Sequence, residues 1–142
     1  MMIRYTDSIA DVGPGNLRGF FVGWPNPPSP ETHLRLLENS DHIVLAIDDE
    51  TGNVVGFITA ISDGVLCAYI PLLEVLPDHK GQGIGRELTR RMLSVMSGLY
   101  MVDTICDPEV APFYEKFGME RGIGMLIRRH ELQSGAEEDT RS

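Results

Sequence analysis

The chain is short of cysteine, of positive charge and of long apolar runs, and each shortage removes a class of function. Two cysteines, Cys67 and Cys106, occur in 142 residues. Two thiols form at most one bridge, so a disulfide-stapled scaffold is excluded, and neither belongs to a Cys/His set with metal-ligand spacing. Both lie in apolar runs that read as strands, where cysteine packs as a small buried hydrophobe. Twelve Lys and Arg stand against 21 Asp and Glu, a net charge of −9. That balance repels nucleic acid and anionic membrane and favours cationic small molecules. The start, Met1 to Asp7, lacks the apolar stretch of a secretory signal, and no later run is long enough to span a bilayer. The expectation is a cytoplasmic protein with no metal and no nucleic-acid or membrane partner.

What is present suits one domain. The length and a 42% hydrophobic content fill a single core without staples. That domain is expected over residues 1–130. Residues 131–142 carry Glu131, Glu137, Glu138 and Asp139 against Arg141, and read as an acidic, disordered tail.

The periodicities order the elements. Residues 2–6 read as a short strand. Residues 8–24 are broken by Gly13-Pro14-Gly15, after which Leu17, Phe20, Phe21 and Trp24 recur at helical spacing. Four prolines, Pro25, Pro27, Pro28 and Pro30, make a stiff connector after Trp24. Ser29 then Pro30 is an N-cap followed by a favourable first helical residue, which predicts a helix to about Asn39. Three strands follow: His42–Asp48, Val54–Ile61 and Leu66–Leu76, separated by the turn signals Thr51-Gly52-Asn53 and Ser62-Asp63-Gly64. Pro71 removes a ladder donor from the third and predicts a bulge or an edge. Ile84, Leu88, Met92 and Leu99 mark a helix from about Gly83 to Ser97. Tyr100–Cys106 reads as a strand, Glu109–Phe117 as a short helix ended by Gly118, and Met125–Arg129 as a last strand. The order β-α-α-β-β-β-α-β-α-β implies an α/β fold with helices packed on one mixed sheet.

The chemistry concentrates in Leu73-Glu74-Val75-Leu76-Pro77-Asp78-His79-Lys80-Gly81-Gln82-Gly83-Ile84-Gly85-Arg86. A strand enters a loop with glycine at alternate positions, and the loop opens an amphipathic helix. Glycine lets backbone approach a ligand with no Cβ between them. The first helical turn presents unpaired N–H groups with partial positive charge, which suits a pyrophosphate. Lys80 and Arg86 flank it. The G-x-G-x-x-G dinucleotide fingerprint fails because Leu88 stands at the third glycine, and no P-loop is present.

This stretch resembles the [RQ]-x-x-G-x-[GA] segment of the GNAT acetyltransferases, read here as Val75-Leu76-Pro77 followed by Lys80-Gly81-Gln82-Gly83-Ile84-Gly85. The segment from Asp107 to Met119, with Ala111, Phe113-Tyr114-Glu115 and Gly118, is similar to a second block of that family, N-x-x-A-x-x-F-Y-E-x-x-G-F. The resemblance covers residues 2–129 and is nearest a branch that includes plant chloroplast amine acetyltransferases. It implies a GNAT-type, mostly antiparallel mixed sheet with helices on both faces. Three residues depart from the pattern. Lys80 keeps the charge but not the planar fork of Arg, Asp107 stands for Asn, and Leu72 stands where the branch often has a carboxylate.

The resemblance further implies direct transfer of an acetyl group from acetyl-CoA to an amine. Backbone N–H groups of Leu73 and Val75, with Glu74 between them, would hold the pantetheine and polarise the thioester carbonyl. Lys80, Gly81, Gln82, Gly83, Ile84, Gly85 and Arg86 would hold the pyrophosphate, and Asp107, Phe113 and Tyr114 would border the donor's arm. Tyr114 would serve the leaving thiolate, whose parent thiol has a pKa of ~8.5. An alkylamine of pKa ~10.4 must lose a proton before it attacks, and Glu74, then Tyr69, then Asp107 are the candidate bases. The acceptor is left open among small amines, polyamines, arylalkylamines and lysine side chains. Residues 24–30 with Leu17–Phe21 are the expected wall of its pocket. A homodimer is a further expectation from the family. The alternative is a non-catalytic acetyl-CoA-binding sensor.

Overall fold

The computed structural model describes residues 2–135. Five strands form one sheet in the order β1-β2-β3-β4-β5: β1 (Ile3–Thr6), β2 (His42–Asp48), β3 (Val54–Ser62), β4 (Cys67–Val75) and β5 (Met101–Thr104). The first four pair antiparallel and β5 lies parallel to β4. Parallel neighbours need a crossover, and α2 (Ile84–Val95) supplies it. α1 (Pro30–Asn39) precedes β2 and α3 (Ala111–Glu115) follows β5.

Each element has a local cause. The Ser29 hydroxyl accepts a hydrogen bond from Thr32 N at 3.1 Å, capping α1 with Pro30 in its first turn. The β3–β4 turn is held by Asp63, whose Oδ1 accepts from Val65 N and Leu66 N at 2.8 Å and Cys67 N at 3.2 Å. Those bonds hold its carboxyl well below the usual range, at about 2.

β2 and β3 are apolar at nearly every position because both their faces are covered. Val44 and Ala46 face α2, in a cluster with Ile58, Ile84, Leu88 and Met92. Ile43, Leu45 and Ile47 face the other way, toward Leu17, Leu37 and Phe57. Helices therefore lie on both faces. Gly56 lets α2 sit close to β3: a Cβ there would meet Ile84 Cγ2 and Leu88 Cδ1 at 3.1 Å.

The structure corrects several sequence expectations. Met125–Arg129 is not a strand, because no neighbour offers it a ladder. The stripe Leu17–Trp24 is no helix: beyond the single 3-10 turn Pro14–Asn16 it follows turns, with Phe21 at φ +63°. Leu17, Phe20 and Phe21 are nonetheless buried. Cys106 lies beyond β5 and is exposed, and Cys67 is half-buried. His79, in the loop before the glycines, is half-buried. Residues 131–135, assigned to the acidic tail, lie against the body: Asn26 N donates to Gln133 Oε1 at 2.9 Å and Arg35 Nη2 to the Gly135 carbonyl at 3.1 Å. The rest of that tail lies outside the described residues.

Candidate active site

A bulge in β4 organises the site. Between the pairs Ile61–Tyr69 and Thr59–Leu72, β3 advances two residues while β4 advances three, so the extra residue falls at Ile70–Pro71, where proline removes a donor. The bulge changes which residues face which helix. Before it Ala68 and Ile70 face α2; after it Leu73 and Val75 do, while Leu72 joins the α1 side. Alternation then puts Glu74 on the α1 side as well.

β4 and β5 also part company at this point. Their pairing runs from Cys67–Met101 to Ile70–Thr104, closed by a hydrogen bond from the Thr104 hydroxyl to the Ile70 carbonyl at 2.8 Å. β4 continues to Val75 with no strand paired to that edge among the described residues. Leu76 N donates to the Val55 carbonyl of β3 at 2.8 Å. Backbone direction alternates along a strand, so the N–H groups of Val75 and Leu73 point out of the open edge.

That edge leads into the glycine loop. Gly81 (φ +80°) and Gly83 (φ +82°) are left-handed, a conformation that L side chains resist. Gly83 is the N-cap of α2 and has no side chain to satisfy the first-turn N–H groups. Nothing lies within 4 Å of a Cβ at Gly81 or Gly83, so the cradle opens to solvent and has room for a ligand. Gly85 faces the strand, where a Cβ would meet Val75 Cγ2 at 3.6 Å. Ile84 is buried against the sheet and anchors the helix rather than lining the cradle, whereas Lys80, Gln82 and Arg86 are exposed around it.

Tyr114 and Tyr69 share one cleft of about 1160 Å³ with Thr104, Cys106 and Pro108. Tyr114 is buried, and loss of solvent pushes its phenol pKa above the usual 10 despite a hydrogen bond with Thr104 that pulls the other way. It therefore stays protonated at neutral pH. Phe113 packs edge-on against it at 5.1 Å. Asp107 is exposed in the turn before α3, where its carbonyl accepts from Val110 N at 2.9 Å.

Glu74 is not in this cleft. Its carboxylate accepts from Phe21 N (2.9 and 3.0 Å) and Val22 N (3.3 Å), which fastens the positive-φ loop to the sheet. A carboxylate offers about four acceptor sites, so capacity remains for a further donor. Beside it a second cavity, about 450 Å³, is walled by Phe21, Trp24, Pro28, Leu72 and Arg35. Trp24 and Pro28 of the 24–30 loop thus wall this cavity. Leu17 and Phe20 sit in the core instead. Sequence reasoning missed Thr104 and Arg35, since neither belongs to a motif. Among the described residues, no group of three or more His, Cys, Asp or Glu side chains is placed to hold a metal ion.

Residues 11–119 match the profile of the Acetyltransferase (GNAT) family. The chain belongs to this family, and membership implies acetyl transfer. It is similar to a candidate acetyltransferase of Deinococcus radiodurans R1, whose solved structure superposes with a TM-score of 0.92 at 46% identity, covering 96% of this chain and 94% of that one. It is 28% identical to serotonin N-acetyltransferase 2, chloroplastic, of Oryza sativa subsp. japonica, covering 93% of this chain and 70% of the rice protein. It is 29% identical to the uncharacterized N-acetyltransferase ycf52 of Pyropia yezoensis over 68% of this chain, and it spans 58% of that relative's length. No helix among the described residues is long and apolar enough to cross a membrane.

Proposed function

We propose that this chain is an acetyl-CoA-dependent N-acetyltransferase that moves the acetyl group directly to a primary amine. The observation that carries the proposal is the open edge of β4 running into the glycine cradle at the α2 N-terminus. An acyl-CoA has an amide-rich arm that suits a strand edge and a pyrophosphate that suits a helix N-terminus. Leu73 and Val75 N–H, with Glu74 between them in the strand, would bind the arm and stabilise the oxyanion. Lys80 through Arg86 would hold the pyrophosphate, with Ile84 acting through its anchor. Phe113 and Asp107 would border the thiol end, where protonated Tyr114 would hydrogen-bond the departing sulfur.

The amine's proton would go to Glu74, which is bonded to the backbone of Phe21 in the wall of the second cavity, or to Tyr69 in the cleft; exposed Asp107 is the least suited. The aromatic wall of Phe21 and Trp24 favours an arylalkylamine. The rice relative's name, a serotonin acetyltransferase, supports the same acceptor class. A cytoplasmic location, a homodimer and the absence of nucleic-acid, membrane and metal partners belong to this proposal. The test is thiol release from acetyl-CoA across arylalkylamines, polyamines, amino acids and lysine peptides, with coenzyme A binding by calorimetry alongside. Release with an arylalkylamine is the expected result. Coenzyme A binding with no acceptor across the panel would favour the sensor instead, and no binding would overturn the site.

A further inference from the structure

The connector after Trp24 reads Pro25-Asn26-Pro27-Pro28. Proline has no N–H and fixes φ, so the stretch is stiff and carries one backbone donor, that of Asn26. The donor goes to the far end of the chain: Asn26 N donates to Gln133 Oε1 at 2.9 Å. Trp24 and Pro28 lie two residues to either side, and both line the 450 Å³ cavity. In a stiff loop one fixed amide places both side chains.

Gln133 reaches Asn26 from a strap. Past α3 the chain runs through a C-terminal arm, residues 121–130, that is exposed throughout. It then makes a 3-10 turn, His130–Leu132, and settles on α1. There Arg35 Nη2 donates to the Gly135 carbonyl at 3.1 Å. Gly135 is left-handed at φ +64°, and a Cβ on it would meet Thr32 Cγ2 at 3.2 Å. Thr32 and Arg35 line the same cavity. The strap therefore ties the proline loop to α1 across the cavity, and adds Gln133 and Gly135 to its lining. The family profile ends at residue 119, so the strap lies outside it.

The other end of the wall is fixed from the sheet, where Glu74 accepts from Phe21 N and Val22 N. Between these two fastenings the rings of Phe21 and Trp24 stand 4.9 Å apart at 55°, an open corner for a flat apolar body. We propose that Gln133 is a positioning residue that sets acceptor specificity: through Asn26 it holds Trp24 against the ring of an arylalkylamine. Amines with a ring gain from a pre-set wall, and amines without one do not. That acceptor role rests on the acetyl-transfer reading, whereas occupancy of the cavity is measured without turnover.

Trp24 is the single tryptophan of the chain, so its fluorescence reports the wall directly. Phenethylamine titrated into the full chain with coenzyme A present should change that emission saturably. Gln133→Leu keeps the bulk and removes the acceptor, and should weaken phenethylamine binding about tenfold. Gln133→Glu can still accept from Asn26 and should keep the wild-type affinity. Gly135→Val, opposed by the left-handed φ and by Thr32, lifts the strap from α1 and should repeat the loss. All three should bind coenzyme A as the wild type does, with unchanged far-UV circular dichroism. In turnover, Gln133→Leu should raise the KM for phenethylamine with kcat largely kept, and leave the KM for propylamine unchanged. Wild-type phenethylamine affinity in both Gln133→Leu and Gly135→Val, no rescue by Gln133→Glu, or an equal loss for propylamine would each overturn the assignment. Phenethylamine turnover without a Trp24 response would also overturn it, and would leave acetyl transfer standing. A Trp24 response that Gln133→Leu weakens, in a chain that acetylates no amine, would remove the acetyl-transfer reading and leave the strap as the wall of an amine site.

Discussion

β3 and the C-terminal arm are both rich in Val, Ile, Leu, Met and Phe, yet one is buried over most of its length and the other is exposed. Residues 54–60 are buried throughout, with paired neighbours on both edges and a helix on each face. Residues 121–130 are exposed throughout. The difference lies in partners rather than composition. Hydrophobic burial needs a second surface, and a strand needs an edge to pair with.

The largest effect that would sharpen this contrast lies at the glycine cradle, which is exposed like the arm but for ligand access. Gly83→Asp places a carboxylate at the α2 N-terminus and a side chain at φ +82°. It should weaken coenzyme A binding more than about tenfold by calorimetry, and unchanged affinity in the folded variant would sink the assignment. In the core, Phe57→Ala should cost about 3–5 kcal/mol in denaturant unfolding, since Phe57 is fully buried among Phe20, Phe21 and His33.

His33 gives a pH effect in the same core. Neither ring nitrogen has a hydrogen-bond partner among the described residues, and burial pushes its pKa from 6.5 to about 4. Between those pH values the unfolded chain takes up a proton that the folded chain refuses. Stability is therefore full above pH 6.5 and falls as the pH drops toward 4, by at most about 3 kcal/mol in all. His33→Phe should flatten the slope of thermal midpoint against pH, and a slope that persists would place its cause elsewhere.

Tyr114→Phe should lower kcat by about 10- to 100-fold with little change in the KM for acetyl-CoA, because a thiolate leaves adequately without full protonation. A fully active variant would confine Tyr114 to packing. The smallest effect belongs to the arm. Ile123 is exposed, so Ile123→Ser should change the unfolding free energy by less than about 0.5 kcal/mol. A larger loss would mean that Ile123 is packed within its own chain.

Much of this was legible from residue order, for reasons that operate over a few positions. Ser29-Pro30 starts α1 at the expected residue because a cap and a fixed φ act locally. β2 matches its expected bounds, since its apolar run and flanking turn residues needed no distant partner for recognition. The glycine loop was readable because left-handed backbone and close approach exclude most side chains. Tyr114 and Tyr69 could be named, but their meeting in one cleft depends on α3 reaching the mouth of β4 and β5. Glu74 was named as a base, and its two backbone donors from Phe21 and Val22 could not be foreseen across more than fifty residues.

The sequence alone settled the elements with local causes and the glycine-rich loop, and narrowed Pro71 to a bulge or an edge, because capping, proline geometry and glycine's freedom act on neighbouring atoms. Only the tertiary structure decided which side of the sheet each β4 residue faces after that bulge, where β4 and β5 part, and that residues 125–129 remain without a strand. Those outcomes depend on register and on the presence of a neighbouring edge, which local apolar patterning does not encode.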